Sequence, residues 1–367
     1  MLPFRLGMRV TGAEFCGRRR ELAELREYMR ASGRVYVVGE RRIGKTSLVF
    51  EAVRTLRGTR IVDVDLLAAR TVADLTHRLA AAVIRAEHNQ NRLLTLIRGL
   101  AQLRPTIGLD PLTNTPTVSF APGSGNQPET LDAIFALIEP WPKTVVIFDE
   151  FQDILNFPEE EAVLARLRGL VQQQQRASFV FCGSLRHRME DIFTRDDSPF
   201  FKSAMRLQVG ALDRAVFRAF LTAKFAGGGR EPAPGVIDAI LDLCQENPGD
   251  VQRFCIALWQ VTSAGRVITD REFPAAWDMV FAMHAQEYEV ILRNLSVQQA
   301  LALAALARMG GRSRLTREFL EASGIALTPS LAKALAALVE KGIVRKEATE
   351  FSIADPFLVR WRQSRTP

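Results

Sequence analysis

The chain has 367 residues, 47% of them hydrophobic and 24% charged, with a formal net charge of +7. That length suggests two or three domains with full apolar cores, and no run of 18 apolar residues is available to cross a membrane. The excess positive charge sits at the ends: residues 1–60 hold 14 Lys and Arg against 6 Asp and Glu, residues 293–367 hold 12 against 6, and the middle is acidic.

Cys16, Cys182, Cys244 and Cys255 form no C-x-x-C pair, and His77, His88, His187 and His284 form no metal-binding or triad pattern. The segment Met1–Arg5 lacks the apolar stretch of a signal peptide. A cytoplasmic protein with reduced thiols is the expectation. The basic ends admit two readings, contact with nucleic acid or with solvent and nucleotide phosphates.

Glu14–Leu22 leads into a helix that runs to about Ala31, with Leu22, Leu25 and Met29 on one face. Arg34–Val38 reads as a short buried strand. It runs into Gly39-Glu40-Arg41-Arg42-Ile43-Gly44-Lys45-Thr46-Ser47, which fits the phosphate-binding pattern G-x-x-x-x-G-K-[ST]. A helix begins at Thr46, so strand, glycine loop and helix follow in the order the motif requires. Such a loop turns backbone N–H groups toward an anion at a helix N-terminus. Lys45 is then the residue for the β- and γ-phosphates, and Thr46 for Mg²⁺. The segment Val10–Gly17 is a candidate lining for the base, and Arg18 a candidate phosphate contact.

Arg60–Asp65 reads as a second strand and 72–104 as a long helical tract. Residues 105–128, with five prolines and three glycines, read as a loop or small hairpin, and Glu129–Ile138 as a helix. Thr144–Glu150 is an apolar strand that ends in two carboxylates. At the mouth of an α/β sheet Asp149 would hold Mg²⁺, largely through water, and Glu150 would polarise the water that attacks the γ-phosphate. Ala177–Ser184 repeats the pattern of apolar strand and polar tip. Ser184 is a candidate contact to the γ-phosphate or the attacking water, or else a turn residue. Met205–Val209 reads as the last strand. In the turn before it, Lys202 and Arg206 are either residues aimed at a neighbouring copy's nucleotide or surface ion-pair partners.

From Asp213 the pattern changes to short helices: Asp213–Phe225, Gly235–Gln245, Pro248–Ala264 and Phe273–Leu295. Asn247 is placed to cap the third. Arg253 near its start is either a sensor of the nucleotide or a solvated helix arginine. Ser296–Met309, Thr316–Ala322 and Pro329–Lys341 read as three further helices, followed by a hairpin of 343–346 and 351–354. Three helices and a wing describe a winged helix-turn-helix. Its third helix is rich in Ala and Leu and offers few groups for base edges. Arg312, Arg314, Arg317, Arg345 and Lys346 are the candidates for phosphate contacts.

The combination resembles the archaeal-type ATPases, a family related to the STAND and AAA+ P-loop ATPases that also occurs in bacteria. The residues that carry the resemblance are Phe15–Arg18 with Glu21-Leu22, Gly39–Leu48, Phe148-Asp149-Glu150-Phe151-Gln152, Gly183-Ser184, and Asp355-Pro356-Phe357 with Trp361. The resemblance implies ATP as the nucleotide, a lid and a C-terminal winged helix; the chain also lacks the N-K-x-D guanine motif. It departs from the family where P-L-x-G-R is frequent and this chain has Pro199-Phe200-Phe201-Lys202-Ser203. Pro248–Arg253 resembles the sensor helix of origin-recognition ATPases, with the arginine one place late.

The expected fold is α/β, a P-loop NTPase of the ASCE and AAA+ kind. It has a parallel sheet flanked by helices in residues 1–212, an α-helical lid in 213–293 and a winged helix-turn-helix in 294–367. The expected function is Mg²⁺-dependent ATP hydrolysis, slow in isolation, that switches a conformation or a homo-oligomer and reports it to a protein partner. Two alternatives stand beside it: an ATPase that engages duplex DNA, and a scaffold that holds ATP without turnover.

Overall fold

The computed structural model describes residues 2–87, 98, 100, 105–109, 116–120 and 128–364. Two compact units divide the chain: Arg9–Gly210, and Met1–Met8 together with Ala211–Pro367.

The first unit is built on five strands: β1 (Arg34–Val38), β2 (Arg60–Asp65), β5 (Thr144–Asp149), β6 (Ala177–Gly183) and β7 (Met205–Gln208), in the order β2-β5-β6-β1-β7. All four pairings are parallel. Alternate residues serve opposite faces of this sheet. Val35, Val37, Val145, Ile147, Val180 and Cys182 join the core under helices α1 (Arg19–Arg30) and α2 (Lys45–Arg54). Tyr36, Val38, Val146, Phe148, Phe179 and Phe181 join the opposite core, with helices α3 (Val72–Ala86), α4 (Pro128–Ile138), α5 (Glu160–Gln173) and α6 (Arg186–Thr194). Both faces of the central strands are covered, which is why β1, β5 and β6 read as nearly unbroken apolar runs, while the edge strands β2 and β7 carry polar residues.

A short antiparallel hairpin, β3 (Pro105–Leu109) with β4 (Pro116–Phe120), falls where the insertion is expected. The helical tract continues from Val72 to Ala86; its expected remainder, from His88 onward, lies almost entirely outside the described residues.

Parallel pairing places all the strand C-termini on one edge. Val38 faces Gly183 on one side and Gln208 on the other, and Asp65 faces Asp149. Beneath this edge lies an aromatic cluster. Phe151 packs 4.7 Å from Phe181, and Phe193 stacks 4.4 Å from Tyr36. Phe200 lies between 5.5 and 5.6 Å from the rings of Phe151, Phe181 and Phe193. Phe200 thus anchors the turn that departs from the family pattern.

The second unit contains helices α7 (Arg214–Ala226), α8 (Val236–Leu243), α9 (Pro248–Val261) and α10 (Phe273–Arg293), with a two-residue bridge between β8 (Glu231–Pro232) and β9 (Val267–Ile268). The winged helix follows as α11 (Val297–Arg308), β10 (Arg312–Arg314), α12 (Arg317–Ser323), α13 (Thr328–Glu340), β11 (Val344–Glu347), β12 (Glu350–Ile353) and α14 (Pro356–Ser364). Its sheet is antiparallel in the order β10-β12-β11. Strand β10 and helix α14 are absent from the sequence reading. Three residues of R-S-R are too few to show alternation, and α14 hides its apolar residues among arginines.

The helical segment and the winged helix pack as one unit. The Trp277 ring lies 5.3 Å from that of Phe357, and Tyr288 5.3 Å from Trp361. The N-terminal residue Phe4 is buried in the same unit, 4.9 Å from Phe225. No single helix among the described residues is long and apolar enough to cross a membrane.

Candidate nucleotide-hydrolysis site

The loop Gly39–Gly44 leaves β1 at the strand-end edge and enters α2. Gly39 is required by a close approach: a Cβ there would stand 2.4 Å from the carbonyl oxygen of Val209. Gly44, at φ +98°, is the left-handed residue at the helix N-cap, and Arg42 (φ +65°) is left-handed two places before it. Glu40 is half-buried, Arg41 and Arg42 are exposed, and Ile43 is buried.

Lys45 is only 7% exposed. Its Nζ donates to the carbonyl oxygens of Gly39 at 3.0 Å and Glu40 at 2.8 Å. Burial pushes its pKa down, against the opposing pull of Glu150, Asp149 and Glu40. A buried ammonium whose hydrogen bonds go to neutral carbonyls is suited to a polyanion that would neutralise it.

Asp149 ends β5 directly across from the loop. Thr46 Oγ1 donates to Asp149 Oδ2 at 2.8 Å. Burial raises the Asp149 pKa, while the Thr46 hydrogen bond opposes the rise. One hydroxyl and one carboxylate, with phosphate oxygens and water to complete the shell, make a hard-oxygen set that fits Mg²⁺. Among the described residues no cluster of three or more His, Cys, Asp and Glu could hold a metal on its own. A metal here would therefore depend on the nucleotide for the rest of its ligands.

Glu150 follows with a left-handed backbone, φ +51°, which turns the chain sharply from the strand into the 3₁₀ segment Phe151–Asn156. Such a conformation is uncommon for a non-glycine residue and gathers at functional sites. Its Oε2 accepts hydrogen bonds from Gln152 Nε2 at 2.6 Å, Ser184 Oγ at 2.7 Å and the Ser184 N–H at 3.3 Å. Strand β6 lies between β5 and β1, so its tip, Ser184, falls between the loop and the carboxylates. Here Ser184 engages Glu150.

The structure places the other sequence candidates as follows. Arg18, almost fully buried, donates to the Ile43 carbonyl at 3.0 Å and the Gly210 carbonyl at 2.8 Å, and pairs with Glu21 at 3.1 Å. It braces the backbone of the loop. Ser47 Oγ accepts the Val10 N–H at 3.1 Å, and Glu51 accepts the Gly12 N–H at 2.8 Å. The Val10–Gly17 segment is thereby tied to α2. Arg206 pairs with Glu190 at 2.7 Å, and Lys202 Nζ stands 4.8 Å from the Phe201 ring centroid. Arg206 thus makes a surface ion pair, and Lys202 a cation–π contact.

Arg253 is a correction. It is neither solvated nor aimed out of its unit: only 1% exposed, it pairs with Asp355 at 3.0 Å and lies 3.8 Å from Asp250 and 3.4 Å from the Tyr288 hydroxyl. Phe254, Cys255 and Leu258 face the same core, and Arg253 is drawn in with them to meet a carboxylate from the chain after β12. Asp355 also caps the following helix by accepting the Phe357 N–H at 2.8 Å. Removing one partner of a buried pair costs about 3 kcal/mol or more. Asp355→Ala is therefore expected to lower the melting temperature of this unit markedly. Arg253→Met should lower it less, because Asp355 is partly exposed and can be hydrated. Tryptophan fluorescence on heating reads the difference through Trp259, Trp277 and Trp361.

Gln152 escaped the sequence reading except as one letter of the family motif.

Comparison with known proteins agrees at the level of fold. A family model described as a probable winged helix domain matches residues 286–364. No curated protein matches the sequence. Among solved structures, the Walker-type ATPase paby2304 of Pyrococcus abyssi is similar over 98% of this chain and 99% of its own, with a TM-score of 0.70 and 20% identity. The Aeropyrum pernix ORC2 protein, solved in ADPNP-ADP complexes, is similar over 95% of each chain, with a TM-score of 0.55 and 18% identity. The Aeropyrum pernix ORC1 protein, solved in complex with DNA, is similar over 96% of this chain and 93% of its own, with a TM-score of 0.53 and 14% identity. The resemblance drawn from the motifs thus holds for the fold: the chain is a P-loop ATPase fold with a parallel five-stranded sheet, followed by helices and a C-terminal winged helix.

Proposed function

We propose that this chain is a Mg²⁺-dependent ATPase that acts as a molecular switch, coupling its nucleotide state to a partner. The observation that carries this reading is the convergence of Lys45, Thr46, Asp149 and Glu150 on one edge of the sheet, with Thr46 and Asp149 already 2.8 Å apart. The loop N–H groups and Lys45 bind the β- and γ-phosphates. Thr46 and Asp149 hold Mg²⁺, which supplies charge neutralisation at the phosphates when bound. Glu150 orients a water and takes its proton as the water oxygen attacks the γ-phosphorus. The bond to the β-phosphate oxygen breaks, and ADP and phosphate leave. The free cysteines, three of them buried, favour a cytoplasmic setting. Residues 1–212, 213–293 and 294–367 serve in this reading as motor, lid and winged helix.

Duplex DNA is a second candidate partner, favoured by Arg312 and Arg314, both exposed on β10. The exposed positions of α13 are Thr328, Pro329, Lys333, Ala336 and Glu340, a set with few groups for base edges. Binding through phosphates alone would be insensitive to sequence and steeply dependent on salt. With three phosphates neutralised, affinity should fall roughly 40-fold between 50 and 200 mM salt. A titration at these two concentrations, with turnover and particle size followed in parallel, separates the two readings. Binding with that salt slope and a changed ATPase rate supports the DNA reading. No binding at low salt sinks it, and a particle size that follows ATP then points to homo-oligomerisation or a protein partner.

A further inference from the structure

Gln152 lies two residues beyond Glu150 and is 2% exposed. Its Nε2 donates to Glu150 Oε2 at 2.6 Å, while its Oε1 is buried with no hydrogen-bond partner. The carboxamide occupies a seat that Gly183 keeps open. A Cβ at 183 would come within 2.5 Å of Gln152 Oε1 and 2.3 Å of Met189 Cγ. A buried amide with one end unsatisfied costs about 1–3 kcal/mol that an apolar residue would avoid. The side chain is thus a poor choice for packing alone, and its one productive contact is with the carboxylate.

We propose that Gln152 is a positioning residue for ATP hydrolysis, holding Oε2 of Glu150 so that Oε1 is presented to the attacking water; this rests on the ATPase reading above. Ser184 shares Oε2 with Gln152, so both donors act on a single oxygen. Among the described residues no hydrogen bond goes to Oε1. Ser184 is also the residue placed to meet a γ-phosphate. When its hydroxyl turns to the nucleotide, Gln152, pinned by Gly183 and Met189, is the donor that remains on Glu150. The carboxylate then keeps its orientation while the neighbouring strand tip responds to ATP.

The test compares Gln152→Met, which keeps the bulk and removes the donor, with the wild type and with Glu150→Gln in the full chain. The readouts are kcat, KM for ATP and melting temperature. Misplacing a catalytic group by about 1 Å can lower a rate about 100-fold. For Gln152→Met we expect kcat lower by about tenfold to a hundredfold at unchanged KM, with a melting temperature equal to or above that of the wild type, because an unsatisfied buried carbonyl is removed. A purely packing role predicts the reverse, a lower melting temperature at unchanged kcat. If Gln152→Met folds poorly, Gln152→Leu also removes the donor, leaves no polar atom to satisfy, and should lose kcat in the same way. Wild-type kcat in the folded Gln152 variants, with Glu150→Gln inactive, overturns the positioning role alone. Wild-type kcat in Glu150→Gln overturns the base assignment and the positioning role together.

Discussion

Lys45→Ala is expected to weaken ATP binding by about a hundredfold, because the charge-assisted hydrogen bonds it can make to phosphate contribute roughly 3 kcal/mol together. The change should leave the folded protein intact. Lys45 is a buried cation whose hydrogen bonds go to the Gly39 and Glu40 carbonyls, and burial pushes its pKa down despite the pull of Glu150 and Asp149, so its charge is a burden on the fold that a polyanion would relieve. Thermal shift separates the two effects. At a concentration 100 times the wild-type Kd, ATP stabilises the wild type by about 2.7 kcal/mol. For the unit that holds the loop, Arg9–Gly210, that is a rise of roughly 5–10 °C in melting temperature. The same concentration would stabilise Lys45→Ala by about 0.4 kcal/mol, a rise of about 1 °C. An unchanged ATP shift in the variant would mean that the loop is not the nucleotide site.

Glu150→Gln is expected to do the opposite, keeping ATP affinity and losing turnover by at least about a hundredfold, the usual contribution of a positioned general base. The geometry allows the substitution without rearrangement. The amide oxygen can accept from Gln152 and Ser184 where Oε2 does now, which leaves the NH₂ group where Oε1 stands. An NH₂ group there can touch a water but cannot take its proton. Both variants act within one edge of one sheet, yet one removes binding and the other chemistry. This separation of roles distinguishes a working ATPase from a scaffold that merely holds nucleotide.

Much of this site was legible in the sequence, because its parts are local. The loop Gly39–Ser47 is contiguous, and Asp149 and Glu150 end a strand whose unbroken apolar run identifies it as buried on both sides. What joins them was legible only in part. The order of strands that puts Ser184 between loop and carboxylates follows from a general rule for such sheets, but its hydrogen bond to Glu150 depends on side-chain rotamers. Gln152 was hidden because its role depends on Gly183, 31 positions away, lacking a Cβ. Arg18 and Arg253 make contacts that no local pattern announces. An arginine at the start of a helix beside a phosphate loop invites a phosphate contact, yet Arg18 is used on two backbone carbonyls. Arg253 meets Asp355, 102 residues later, and no local pattern announces an ion pair of that span.

The most direct test of the account is single-turnover hydrolysis of pre-bound ATP, started with Mg²⁺ and followed as ADP formed. The wild type and Glu150→Gln are compared at equal ATP occupancy, with a parallel wild-type sample in EDTA. The account predicts slow, complete conversion by the wild type in Mg²⁺, and about a hundredfold less or lower rates in Glu150→Gln and in EDTA. Equal rates of ADP formation in the wild type and in Glu150→Gln would contradict it.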